Sequence, residues 1–174
     1  IGMWGARKGA RDWPAIIRQI RARIPRAQFR FLGTMVDSAL IRRDLQLDTL
    51  EGIEFVSDYQ PDDLPALLKD CTVGAFPSYA EGFGLAVLEQ LAAGLPTIAY
   101  DTAGPRDLLG GLRELLVQKS DVSAFAEKIC EILQLDPDGY EKLSARSVKC
   151  AAEFSWAAIA ETTLDAYRAA LESA

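Results

Sequence analysis

The chain has 174 residues, 49% hydrophobic and 25% charged, with a net charge of −6, three cysteines and no histidine. That length and apolar content describe one compact domain with a real core and exclude a disordered chain. The missing histidine excludes Ser-His-Asp and Cys-His nucleophiles, imidazole metal sites and the commonest general base near neutral pH. Cys71, Cys130 and Cys150 are odd in number and lack any C-x-x-C spacing, which argues against a disulfide framework or zinc site and for a reducing, cytoplasmic setting. No apolar run approaches the roughly 20 residues of a membrane span, and the residues from Ile1 onward are not expected to act as a signal peptide.

In chain order, Ile1-Gly2-Met3-Trp4 reads as the end of a strand, so the chain is expected to be a fragment of a longer protein. Asp12-Trp13-Pro14 reads as a helix start, followed by Ile16, Ile17, Ile20 and Ile24 on one face. Strands are expected at 28–33, 53–56, 73–76, 96–100 and 114–117. Between them lie helices over about 38–47, from Pro61 onward, and over 84–93, the last ended by Gly94 in a left-handed cap. Three helices close the chain, at about 122–135, 140–153 and 156–172. Short apolar runs alternating with amphipathic stretches predict an α/β fold, a three-layer Rossmann-like parallel sheet with helices on both faces. Trp13, Trp156 and Tyr167 are expected to pack in the core or between helices.

Charge is distributed unevenly. Residues 1–43 carry ten basic side chains against two acidic, and the remaining 131 carry nine against 23. The basic third either faces an anionic partner, such as phosphate groups or a membrane surface, or is a solvated helix face carrying Arg18, Arg21, Arg23 and Arg26. The overall acidity and the lack of interleaved aromatic and basic residues argue against nucleic acid.

Ligands of open α/β sheets bind at the carboxyl ends of the strands, where helix N-termini offer amides to anions. The segment from Ser78 to Leu85 lies there, between the strand at 73–76 and the following helix. Gly82 and Gly84 let a ligand approach the backbone, and the amides of Phe83, Gly84 and Leu85 would face it; the same glycines could equally shape a tight turn. Glu89 puts a carboxylate in the apolar stretch Leu85-Ala86-Val87-Leu88-Glu89-Gln90-Leu91. A buried charge needs partners, and two carboxylate oxygens match the two hydroxyls of a ribose. The alternative is a surface pair of Glu89 with Gln90 and solvent.

The run from Phe76 to Glu89, with Glu81 and Glu89 eight residues apart, resembles the E-x7-E signature of retaining family 4 glycosyltransferases. Arg7-Lys8-Gly9, Ala92-Ala93-Gly94-Leu95-Pro96-Thr97, the segment from Asp101 to Asp107 and Phe154-Ser155-Trp156 resemble further family segments in the expected order. The resemblance implies a GT-B enzyme, of which this chain would be the donor-binding lobe, lacking an N-terminal acceptor domain. It implies Glu89 on the ribose, Glu81 on the transferred sugar, Lys8 on the diphosphate and Tyr59 near the base. Gly33, Ser78 and Arg7 complete the implied site for a UDP- or GDP-sugar, with no metal or other cofactor required. The acceptor would be a hydroxyl of a glycan or of a lipid-linked molecule, reached through peripheral contact with the inner face of a membrane.

The chain departs from the family in having Met3 where an Arg is usual, Ser57-Asp58 in place of a Gly, and Asp107 in place of Glu. Arg7 or Arg106 could substitute for the missing Arg. Asp136-Pro137-Asp138 matches the D-x-D metal motif of another glycosyltransferase fold, but its composition is that of a turn or cap. A nucleotide-sugar epimerase and a non-catalytic binding module remain as alternative functions.

Overall fold

The computed structural model describes residues 1–172. Each strand is followed by a helix, in the order α1 (Trp13–Arg23), β1 (Phe29–Leu32), α2 (Ser38–Leu45), β2 (Ile53–Val56), α3 (Leu64–Leu68), β3 (Gly74–Phe76), α4 (Leu85–Ala92), β4 (Thr97–Tyr100), α5 (Ala103–Leu108), β5 (Leu116–Val117) and α6 (Val122–Leu133). Then come α7 (Pro137–Ala152) and α8 (Trp156–Glu172).

Local chemistry sets several boundaries. The Asp37 carboxylate accepts from the Ala39 amide at 2.7 Å to start α2, and Asp121 accepts from Ala124 at 2.9 Å to start α6. Asp136 accepts from the Gly139 amide at 2.7 Å, with Pro137 in the first turn. The D-x-D string is therefore a helix cap, and α7 begins three residues before the expected Tyr140. Gly94 turns left-handed after α4, at φ 77°, as expected. At the fifth strand only Leu116 and Val117 pair, because Arg113–Leu115 closes into a 3-10 turn. The helix α5 is absent from the sequence reading, since Gly104 and Pro105 near its start mask the helical pattern.

All strand pairs are parallel, β1 with β2 and β3 with β4 with β5. All four residues of β4 are buried, as a strand covered by helices on both faces must be. Helices α1 and α6 pack together, and so do α4 and α7. Ile16 and Ile20 of α1, Phe125 and Ile129 of α6, Val87 and Leu91 of α4, and Ile98 of β4 belong to one core. The ladder is not continuous: β1–β2 and β3–β4–β5 are separate hydrogen-bonded groups. Residues 1–4 run beside β1, where Gly2 N–H donates to Leu32 O and Trp4 N–H to Thr34 O, each at 2.8 Å.

Trp13 packs edge-on against Phe31, with ring centres 4.8 Å apart, as expected. Trp156 and Tyr167 do not pack: they are 82% and 65% exposed, because α8 buries none of its residues against the rest of the described chain. Part of the basic third serves the fold. Arg18 donates to Gln46 O at 2.6 Å, Arg21 to the carbonyls of Thr49 and Glu51, and Arg23 pairs with Glu127 at 3.4 Å. Arg18 and Arg21 hold loop carbonyls to α1, and Arg23 ties α1 to α6. Cys71, Cys130 and Cys150 are unpaired thiols, and no cluster able to hold a metal exists among the described residues.

Candidate functional site

Two loops meet at the carboxyl ends of the strands. The first is the turn Ala6–Lys8, closed by left-handed Gly9 at φ 79°. A Cβ on Gly9 would run into the Pro77 carbonyl, so only glycine lets this loop touch the second one backbone to backbone. The Tyr79 amide then donates to Arg7 O at 2.8 Å, and Arg7 Nη1 donates to Ala80 O at 3.2 Å.

That contact brings four of the predicted residues together. Lys8 Nζ lies 2.7 Å from Glu81 Oε1, Ser78 Oγ donates to the same oxygen at 2.6 Å, and Arg7 Nη1 stands 3.7 Å away. The side chains of Glu81 and Lys8 are only 10% and 20% exposed. The Lys8 ammonium also sits 4.9 Å from the centre of the Phe76 ring. A cation and a carboxylate are thus held in contact at the mouth of β3. Arg106 is engaged elsewhere, 2.7 Å from Asp101, so Arg7 is the guanidinium beside this pair.

Glu89 lies on α4, half-buried. Its side chain makes no hydrogen bond or ion pair among the described residues, and burial raises its pKa despite the opposing charge of the Ile1 amine. Gln90 does not pair with it: Gln90 is buried and donates to Ala86 O at 2.7 Å. Tyr59 is close enough for Glu89 to raise its phenol pKa, after the larger effect of burial. Gly33, at φ 66°, lies under the Tyr59 ring, where a Cβ would come within 3.2 Å of a ring carbon and 4.0 Å of Gly2 N. On the other side of Gly2, a Cβ would lie 3.7 Å from Lys8 Cε. A row of neighbouring groups therefore runs from Tyr59 and Gly33 across Gly2 to Lys8 and Glu81.

The raised Glu89 pKa has a stability consequence. A carboxyl that binds its proton more tightly when folded costs stability as pH rises through the span from its ordinary value to its raised one. Glu89→Gln is expected to unfold at a higher temperature than the parent near neutral pH, with the gap closing as pH falls toward about 4. Thermal unfolding across that range measures it. A constant gap would show that ionisation is not the cause.

The loop ends at Gly84, left-handed at φ 93°, directly before α4. A glycine cap has no side chain to take up the first amides of the helix. Gly82 stands in open space, while Phe83 and Leu85 are exposed. Gly104 supports the loop from below: its amide donates to Glu81 O at 3.4 Å, and a Cβ there would strike the Phe83 carbonyl.

One buried group is missing from the sequence reading. Asp12 stands at the N-cap position of α1, as expected, but its side chain caps no amide. Its Oδ2 accepts from Tyr79 OH at 2.6 Å and from Tyr100 OH at 2.8 Å, tying the start of α1 to the ends of β3 and β4. Burial and then this carboxylate push the Tyr100 phenol far above its usual range. Asp12→Ala orphans two phenol donors and is expected to cost about 2–4 kcal/mol, against about 1 kcal/mol for Tyr100→Phe. Urea unfolding compares them, and equal losses would contradict a shared acceptor.

Parallel strands with helices on both faces, and loops that meet at their carboxyl ends, define a Rossmann-like α/β lobe. The chain belongs to the family Glycosyl transferases group 1, which matches residues 1–135. It is 34% identical over 140 residues to a D-inositol 3-phosphate glycosyltransferase of Nocardia farcinica, covering 80% of this chain and 31% of that protein. It is 33% identical over 121 residues to the O-antigen chain mannosyltransferase B of Escherichia coli, covering 69% of this chain and 31% of that one. The chain thus spans about a third of the length of these curated relatives. Among solved structures, sucrose-phosphate synthase from Thermosynechococcus elongatus superimposes with a TM-score of 0.80 at 26% identity, covering 100% of this chain and 45% of that one. A variant of S. aureus TarM, solved with alpha-GlcNAc-glycerol and UDP, superimposes at 0.77 with 20% identity over 94% of this chain and 34% of its own. The fold is that of one lobe of the GT-B glycosyltransferases.

Proposed function

We propose that this chain is the donor-binding lobe of a retaining glycosyltransferase. It would bind a UDP- or GDP-sugar and, with an acceptor-binding lobe of the same longer protein, transfer the sugar to a hydroxyl of a glycan or lipid-linked acceptor. The observation that carries this reading is the contact of Lys8 with Glu81 at 2.7 Å, with the unpartnered, half-buried Glu89 further along the same row of residues. Without ligand, Lys8 and Glu81 neutralise one another. A diphosphate brings negative charge to Lys8, leaving the Glu81 carboxylate to accept hydrogen bonds from sugar hydroxyls, with Ser78 and Arg7 holding it in place. The uncapped amides before α4 face the same anion, and Glu89 takes the ribose hydroxyls beside Tyr59 and Gly33.

The chemistry asked of the lobe is charge stabilisation. As the bond between sugar and diphosphate breaks, negative charge grows on the departing phosphate, and Lys8, Arg7 and the helix amides are the groups placed to meet it. The acceptor would attack from the face the nucleotide leaves, preserving anomeric configuration. The leaving phosphate would take the acceptor's proton, which suits a chain without histidine. The three free thiols support a reducing compartment. No helix of the described residues is long and apolar enough to cross a membrane. The share of the relatives' length that the chain spans supports a further lobe.

Product analysis on the full-length protein, given a labelled nucleotide sugar and a glycan or lipid-linked acceptor, tests this reading. A transferred glycoside is expected. A free epimer would assign an epimerase, and unchanged donor would leave a binding module.

A further inference from the structure

The loop that carries Glu81 meets the backbone of the loop that carries Lys8 at the carbonyl of Arg7. Tyr79 N–H donates to Arg7 O at 2.8 Å, and Ser78 Oγ lies 3.1 Å from the same oxygen. Contacts that converge on one atom act as a pivot, so the angle between the two loops has to be fixed by other groups. Part of that restraint comes from the site's own cations, with Lys8 Nζ 2.7 Å from Glu81 Oε1 and Arg7 Nη1 3.2 Å from Ala80 O. A bound diphosphate competes for both of them.

Tyr79 supplies a restraint for which an anion does not compete. Its OH donates to Asp12 Oδ2 at 2.6 Å, and Asp12 belongs to the Lys8 side, since its own amide donates to Gly9 O at 2.9 Å. Asp12 is 8% exposed, so the bond is shielded from water. The Tyr79 ring is held as well: the Arg11 guanidinium lies 4.3 Å from its centre, and the Tyr100 ring meets it edge-on at 5.5 Å. In the chain, Tyr79 stands between Ser78 and Glu81, whose side chains share the oxygen that Lys8 contacts.

We propose that Tyr79 is a positioning residue, whose bond to Asp12 keeps Glu81 in register with the Lys8 loop while a diphosphate draws the ammonium away from the carboxylate. This role rests on the donor-binding reading of the same site. In the unliganded chain the Lys8–Glu81 contact and the phenol–carboxylate bond act in parallel, so either one holds the loops. Once Lys8 turns to the phosphate, the second still acts, at the moment when Glu81 has to be in place for the sugar. Tyr100 is the internal comparison. Its OH donates to the same Asp12 oxygen at 2.8 Å, but it ends β4 and lies outside both loops.

Hydrogen exchange in the full-length protein, read at the amide of residue 79, tests the parallel restraint without any nucleotide, with Lys8→Ala standing in for an ammonium drawn away. Tyr79→Phe and Lys8→Ala are each expected to change that exchange less than about threefold, and the two together to speed it about 10–100-fold, the worth of one hydrogen bond to a carboxylate. Tyr100→Phe combined with Lys8→Ala should exchange as Lys8→Ala alone does. In steady-state kinetics, Tyr79→Phe should lower kcat about tenfold at saturating donor and Tyr100→Phe less than about twofold, although both lose a bond to the same oxygen. A Tyr79→Phe, Lys8→Ala protein that exchanges no faster than the single variants, a Tyr100→Phe protein that behaves like Tyr79→Phe, or parental kcat in Tyr79→Phe would overturn the proposal. A parent protein that forms no glycoside would remove the transferase reading, and the exchange result alone would then decide whether Tyr79 holds the loops.

Discussion

Glu81→Ala in the full-length protein is expected to lower kcat by about 10²–10³-fold while the chain stays folded, the range found when one preorganised polar contact to a transition state is removed. The reason lies in what Glu81 holds. Its Oε1 accepts from Ser78 and contacts Lys8, so the carboxylate orients the cation as well as facing the sugar. Ser78→Ala removes one hydrogen bond to that oxygen and should cost less than tenfold. Steady-state rates at saturating donor separate the two. A Glu81→Ala enzyme that retains parental kcat would remove this carboxylate from the chemistry.

Lys8→Ala should have an effect of similar size, for a different reason. Charge that accumulates on the diphosphate as the sugar leaves would lose its nearest ammonium, and Lys8→Arg should restore part of the rate if charge is what matters. Because Lys8 and Glu81 share one contact, their effects should not add. The double variant is expected to be little worse than either single one, and the coupling is measured by a double-mutant cycle. Additive losses would mean that the two residues act separately. In that case the 2.7 Å contact would be a feature of the unliganded lobe alone.

The sequence already carried most of this architecture, because periodicity and caps are local. The isoleucines of α1, the short apolar strands and the Gly94 cap needed only neighbouring residues to be read. The spacing of Glu81 and Glu89 placed one carboxylate on a loop and one on a helix, and the structure keeps them there. What escaped depends on residues far apart in the chain. Asp12 has the composition of a helix start, and nothing local signals that Tyr79 and Tyr100 claim its carboxylate. A Tyr ending β4 and another just beyond β3 were the available hint. The arginines of α1 looked like a surface stripe because their acceptors are backbone carbonyls, which every sequence contains. Trp156 and Tyr167 lie on a helix with an apolar stripe, and a stripe cannot say what covers it. The break in the ladder is also non-local, since each half has a sound hydrophobic pattern of its own.

The central claim is that Lys8, Glu81 and Glu89 line one nucleotide-sugar site, and calorimetric titration of this chain with UDP and GDP tests it most directly. Saturable binding of at least one nucleotide is predicted. Glu89→Ala should weaken it about 10–100-fold, the worth of hydrogen bonds from two ribose hydroxyls to a carboxylate. No heat of binding with either nucleotide, or an unchanged Kd in Glu89→Ala, would contradict the account.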